Sequence, residues 1–141
     1  MKLANMKVDH KVSAEGEWIK NIPDMDDLEL LVRGQSCPQA RVLRAKLLRA
    51  LPANVRNNPD GLPPEVVDEI EAKICVEALL LGWRNLDDTP YSVEKATELL
   101  NDPDFVTFRD AVGWASSRVG RQAAAARGAD LGNSTTTSTG T

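Results

Sequence analysis

The sequence predicts a mainly α (α+β) fold: a small helical domain of about four helices with an N-terminal β-hairpin packed on it. Three observations lead there. Apolar residues recur at helical spacing in Ala40, Leu43, Leu47 and Leu51, and again in Phe105, Phe108, Val112, Ala115 and Val119. The stretch Ile74–Trp83 is apolar on nearly every side, as in a helix at the centre of a core. Two short β-rich segments, Glu17–Ile22 and Leu28–Arg33, are divided by Pro23 and an acidic turn. The chain divides into a flexible arm over residues 1–16, the helical domain over 17–127, and a Ser/Thr/Gly-rich tail over 128–141.

Taken in order, Met1–Gly16 shows only weak alternation and reads as a loose arm with at most a short strand. The hairpin follows, with Asp24–Asp27 as a short turn. Ser36 stands as N-cap of the first helix, Pro38 suits its first turn and Pro52 ends it. Residues 53–62 read as a loop. Pro63-Pro64-Glu65 opens a second helix, with Val67, Ile70, Ile74, Ala78 and Leu81 on one face and Gly82 as C-terminal cap. Ser92 caps a third helix carrying Val93, Ala96, Leu99 and Leu100. Asp102-Pro103 starts the fourth, which Gln122–Arg127 extends and Gly128 stops.

The 141 residues suit one domain, and the apolar and charged fractions are those of a globular chain. A net charge of -4 argues against a general nucleic-acid binder. No segment has the apolar h-region of a signal peptide or the length of a membrane span. Cys37 and Cys75 read as free thiols, and a single His leaves little for triad or metal chemistry. No phosphate loop, CxxC, HExxH or GxSxG occurs, so no cofactor or metal is expected.

Several constellations invite a sharper reading. Glu77 falls on the arc of Ile70, Ile74 and Leu81, either as a general base or as a carboxylate held by Lys73 or Arg84; with no second acid or His on that face, the structural role is preferred. Asp24, Asp26, Asp27 and Glu29 lack calcium-loop spacing and read as a solvated turn, as does Asp87-Asp88. Arg33, Arg41, Arg44, Lys46, Arg49 and Arg56 form a basic side without interleaved aromatics, so a solvated face or an acidic protein partner is preferred over nucleic acid. Trp114 lies off the core stripe of its helix, either packed on the hairpin or left for a partner. Gly113 and Gly120 allow another backbone to approach that helix.

A series of landmarks carries a resemblance. Gly-Glu-Trp-Ile from Gly16 leads to Leu-Glu-Leu-Leu-Val-Arg-Gly from Leu28 and a basic helix. Then come Leu-Leu-Leu-Gly-Trp-Arg-Asn-Leu ending at Leu86, Pro-Tyr-Ser-Val-Glu-Lys-Ala-Thr-Glu-Leu-Leu from Pro90, and Asp-Pro-Asp-Phe-Val-Thr-Phe-Arg-Asp-Ala-Val from Asp102. Over Gly16–Val119 this order resembles the tail assembly chaperones of long-tailed bacteriophages and related prophages. The link between Trp83 and Pro90 is shorter than in that family. The resemblance implies a non-enzymatic protein of the host cytoplasm, absent from the mature virion. It implies that the chain coats the tape-measure protein and brings tail tube protein to it, with self-association possible. The candidate partner-binding residues are Trp18, Leu30, Val112 and Trp114, with Arg41 and Arg44 as a polar rim. The alternatives are a structural head-tail joining or minor tail protein, and a small nucleic-acid-binding regulator.

Overall fold

The computed structural model describes residues 1–121 and 124. Its centre is a three-stranded antiparallel sheet of β1 (Glu17–Ile19), β2 (Glu29–Val32) and β3 (Leu80–Arg84), in that spatial order. The expected hairpin is present, with Trp18 opposite Leu31 and Ile19 opposite Leu30. Side chains alternate across a strand, and β2 obeys this: Leu30 and Val32 are wholly buried while Glu29 and Leu31 are half-buried. The connection between β1 and β2 is longer than the expected short turn, because β1 ends at Ile19. Asn21, Asp24 and Asp26 take left-handed backbone, with φ of 56°, 62° and 48°. Asn and Asp tolerate that region better than other non-glycine residues, so the acidic run there shapes the chain. Ile22 and Leu28 are buried beneath it.

The third strand comes from the stretch that reads as one buried helix. Only Pro64–Ile74 is α-helical (α4); Cys75–Leu79 widens into a π turn, and Leu80–Arg84 leaves as β3. A short run that is apolar on all sides looks the same whether buried as helix or as strand. Gly82 is therefore no helix cap but a strand residue opposite Leu31. The wide turn closes through the Leu80 N–H donating to the Cys75 carbonyl. It leaves Ala78 with a carbonyl turned to Arg33, whose Nη1 donates to it at 3.0 Å. Arg33 Nε donates to the Ala14 carbonyl at 3.0 Å, and its backbone N–H to Leu79 O at 2.8 Å.

The other helices surround the inner face of the sheet. Helix α2 is Pro38–Arg49, and its N-cap is Cys37 rather than Ser36. Pro38 at the first helical position holds the residue before it extended, and Cys37 Sγ accepts the Ala40 N–H at 3.4 Å. Ala53–Arg56 forms a one-turn helix, α3, inside the segment expected to be loop. In α4 Ile70 and Ile74 are buried, whereas Val67 is exposed and Val66 packs in its place. Helix α5 (Val93–Asn101) is capped by Ser92, which accepts the Lys95 N–H at 3.0 Å, and buries Ala96, Leu99 and Leu100. Asp102 caps a 3-10 turn at Pro103–Phe105, and α6 runs from Val106 to Arg118. Phe108, Val112, Ala115 and Val119 are core as expected, but Phe105 sits in the preceding turn and is exposed. Trp83 ties the layers together: its indole N–H donates to Thr89 O at 2.8 Å, and its ring meets Tyr91 and Phe108 edge-on.

The arm carries helix, not strand. Asp9 caps α1 (His10–Glu15), and Ser13 is buried. Two glycines receive it. The Gly34 N–H donates to Ser13 O at 2.8 Å, and a Cβ on Gly34 would stand 1.9 Å from Ser13 Oγ. Gly120, at φ +81°, accepts the Asp9 N–H at 3.0 Å, and a Cβ there would lie 2.8 Å from Asp9 O. Gly120 thus makes the close approach expected of it, whereas Gly113 faces open space. The extension of the fourth helix to Arg127 and the tail over 128–141 lie outside the described residues, Ala124 excepted. Among the described residues no helix is long and apolar enough to cross a membrane.

Two outcomes check this packing by urea unfolding. Leu30→Ala, which empties a site sealed on all sides, costs about 2–5 kcal/mol. Gly34→Ala costs about 1–3 kcal/mol, and Ser13→Gly in the same chain returns part of that loss by making room for the new methyl.

Candidate functional site

Helix α6 turns one stripe away from the core: Thr107, Asp110, Trp114 and Arg118 follow one another at a spacing of three or four residues, and so share a face. Opposite them run the edge strand β1 and the ledge of left-handed residues after it. Between the two lies an open groove of about 680 Å³, floored by Trp18 and Trp114 and rimmed by Lys20, Arg118 and Arg121. A second cleft of about 260 Å³ continues past Trp114, between Ile22–Met25 and Thr107–Ala111. Trp114 is half-buried: one part of its ring packs on the core, the rest forms the ridge between the two hollows.

Both indoles carry a guanidinium. Arg84 lies 3.6 Å from the ring centre of Trp18, and Arg118 lies 4.9 Å from that of Trp114. Arg84 is steered by Glu29, whose Oε1 is 3.8 Å from Arg84 Nη1 and 4.0 Å from Lys20 Nζ. That oxygen is shut off from water and accepts no hydrogen bond, so its balance is coulombic, from two cations at once.

Of the residues expected to bind a partner, Trp18 and Trp114 are brought together here. Leu30 and Val112 are not available, because each is wholly buried. Leu30 points inward by the alternation of β2, and Val112 belongs to the same inner face of α6 as Phe108 and Ala115. Arg41 is exposed on α2 and lines neither hollow; Arg44 is engaged in a two-pronged ion pair with Glu71 of α4. Arg33 leaves the basic set altogether, since its guanidinium is taken by backbone carbonyls. Lys20, Asn21, Arg118 and Arg121 were missed. The spacing of Trp114 and Arg118 at four residues on α6 was the available signal; Arg121 lies past the helix end.

The other constellations resolve simply. Glu77 is exposed, because the π turn rotates it off the buried arc of α4; Arg84, one of its expected partners, pairs with Glu29 instead. Among the described residues no group of three His, Cys, Asp or Glu side chains is placed to hold a metal ion. Both cysteines are buried free thiols. Burial pushes the Cys75 thiol up to about 11, with the Glu71 charge adding to the rise and Arg109 and Arg44 opposing it. At neutral pH it keeps its proton, so little of it is the nucleophilic thiolate.

The fold and groove define a small mainly α domain with an indole-floored surface between a sheet edge and a helix. The family model of the YdaY prophage protein matches residues 35–133, and the chain belongs to that family. The match spans α2 to α6 and includes Trp114, Arg118 and Arg121, while β1 and β2 precede it. No curated protein and no solved structure matches the chain.

The Cys75 shift gives a signed prediction. In the window from about 9 to about 11 the unfolded chain has lost this proton and the folded chain keeps it. Stability therefore falls as pH rises through that window, by about 1–2 kcal/mol at roughly pH 10.5. Urea midpoints of the wild type and Cys75→Ala, compared at neutral and at high pH, should show a smaller alkaline loss in the variant.

Proposed function

We propose that this prophage protein is a tail assembly chaperone: it binds the tape-measure protein, keeps it soluble in the host cytoplasm, and helps recruit tail tube protein during tail assembly. It acts by covering another polypeptide, not by catalysis. The ordered resemblance over Gly16–Val119 supports this, and membership of a prophage family is consistent with it. The observation that carries it is the shared groove of Trp18 and Trp114, two indoles held open to solvent by a rigid sheet edge and helix. Tryptophans in such positions supply much of the binding free energy of protein interfaces, since they bury large area at little entropic cost. A long amphipathic helix offers the complementary stripe. Many copies along one client make weak single contacts sufficient.

Co-expression with the tape-measure protein of the same prophage tests this. Trp114→Ala and Trp18→Ala should each cut co-purification by about tenfold or more while the chain stays folded by circular dichroism, with a urea midpoint lowered only by the loss of the packed part of each ring. Undiminished co-purification, or finding the chain at stoichiometric amounts in purified particles, overturns the proposal.

A further inference from the structure

The two hollows beside Trp114 carry opposite charge. Among the described residues, Lys20, Arg118 and Arg121 line the larger one and no carboxylate does. Among the same described residues, Asp24 and Asp110 line the smaller one and no cation does. All five of these side chains are on exposed residues. Along α6 the order is Asp110, Trp114, Arg118, one residue per turn, so acid and base stand roughly 12 Å apart with the indole between them. The ledge opposite repeats the order, with Asp24 at the acidic end and Lys20 at the basic end. The surface is a trough with an apolar centre and two charged ends.

We propose that this trough takes an amphipathic helix whose charge changes sign across its apolar stripe: acidic side chains over Lys20, Arg118 and Arg121, a large apolar side chain against Trp114, and basic side chains over Asp24 and Asp110. The proposal rests on the reading of the groove as a client site and adds the chemistry and direction of the segment it receives. A helix of about 14 residues, roughly 21 Å long, spans both hollows. Its charges must stand seven or eight residues apart to meet both ends. A uniformly acidic helix meets repulsion at Asp24 and Asp110, and a uniformly basic one meets it at the other end. The alternating surface therefore sets which way along α6 the client lies.

Three synthetic helices of about 16 residues test this, each with the same Leu stripe. One has Glu in its first half and Lys in its second; one has Glu throughout; one has Lys throughout. By titration with anisotropy readout the two-sign helix should bind at least about tenfold tighter than either uniform one. The double variant Arg118→Glu with Arg121→Glu changes only exposed side chains, and should reverse the order so that the Lys helix binds best. Asp24→Asn with Asp110→Asn keeps a residue suited to the left-handed backbone at position 24 and should lift the Glu helix to within about threefold of the two-sign one. Equal binding of the Glu and two-sign helices to the wild type overturns the proposal. So does tighter binding of an oligothymidylate, which assigns the basic groove to nucleic acid. Self-association of the chain abolished by Trp114→Ala overturns it too, since the ridge then belongs to a second copy. The tape-measure protein separates the two readings. If it co-purifies equally well with the Arg118→Glu/Arg121→Glu variant, this inference fails and the chaperone function stands. If it does not bind while the two-sign preference holds, the function falls and the trough's chemistry stands.

Discussion

The guanidinium of Arg33 holds an awkward junction, the direct passage from helix to strand at Cys75–Leu79. A helix that must become a strand without a loop leaves carbonyls with no partner, and an unpaired buried carbonyl costs about 1–3 kcal/mol. The π turn at Cys75–Leu79 is such a junction. Arg33 donates to the Ala78 carbonyl from its side chain and to the Leu79 carbonyl from its backbone, so β2 and the turn are joined at two points. A third donor, Nε, reaches the Ala14 carbonyl and fastens α1 to the same place. Five fixed donors on one planar group make this possible; a lysine ammonium has three and no fixed plane. The cation that looks like surface charge in the sequence thus does interior work, and it was legible only once its three neighbours were in place.

That junction sets the position of the groove. With β3 joined to β2, β2 becomes the central strand and β1 one of the sheet's two edges. Beneath it α6 presents Val112, Ala115 and Ser116, small residues that let the helix lie close to β2. A helix held this close must turn its bulkiest residue elsewhere. Trp114, roughly 200° around the axis from Val112, is therefore pushed to the flank, beside the end of β1. The indole pair is a consequence of packing first. Its openness follows from β1 being only three residues long, which leaves Lys20 and Asn21 free to diverge from the sheet.

Much of this could be read from the chain. The hairpin, the stripes of α2, α5 and α6, and the Ser92 and Asp102 caps all follow local rules of period and capping. What failed did so for physical reasons. Ile74–Trp83 carries no periodicity to distinguish helix from strand, because both of its ends are buried. Ser36 lost the cap to Cys37, since Pro38 fixes where the helix starts. The acidic run at Asp24–Asp27 suggests ligands only if its backbone is ignored; left-handed φ at two of those residues is what the aspartates supply. Of the candidate contacts, Trp114 was legible as an off-stripe aromatic of its helix. Leu30 and Val112 were not separable from core, because an apolar side chain gives the same signal on either side of a helix or sheet until the packing is known. The basic rim was hidden because it is assembled from the residue after β1 and from the end of α6 and just beyond it, about a hundred residues apart in sequence.

A chain of net charge -4 that places Lys20, Arg84, Arg118 and Arg121 around two indoles behaves differently at long and short range. Beyond about 8 Å at physiological salt, screening removes most of the interaction between exposed charges, and what remains of the field reflects the overall negative sign. At contact, only the local charges matter, and there the sign depends on which side of Trp114 a group lands. Attraction from afar is therefore weak, while discrimination on contact is strong. A surface of that kind is slow to capture a partner and selective in how the partner lies. If the proposed chaperone function holds, those properties suit a protein that meets a long client at many sites, where the number of sites makes up for weak encounter and a fixed direction keeps neighbouring copies from blocking one another.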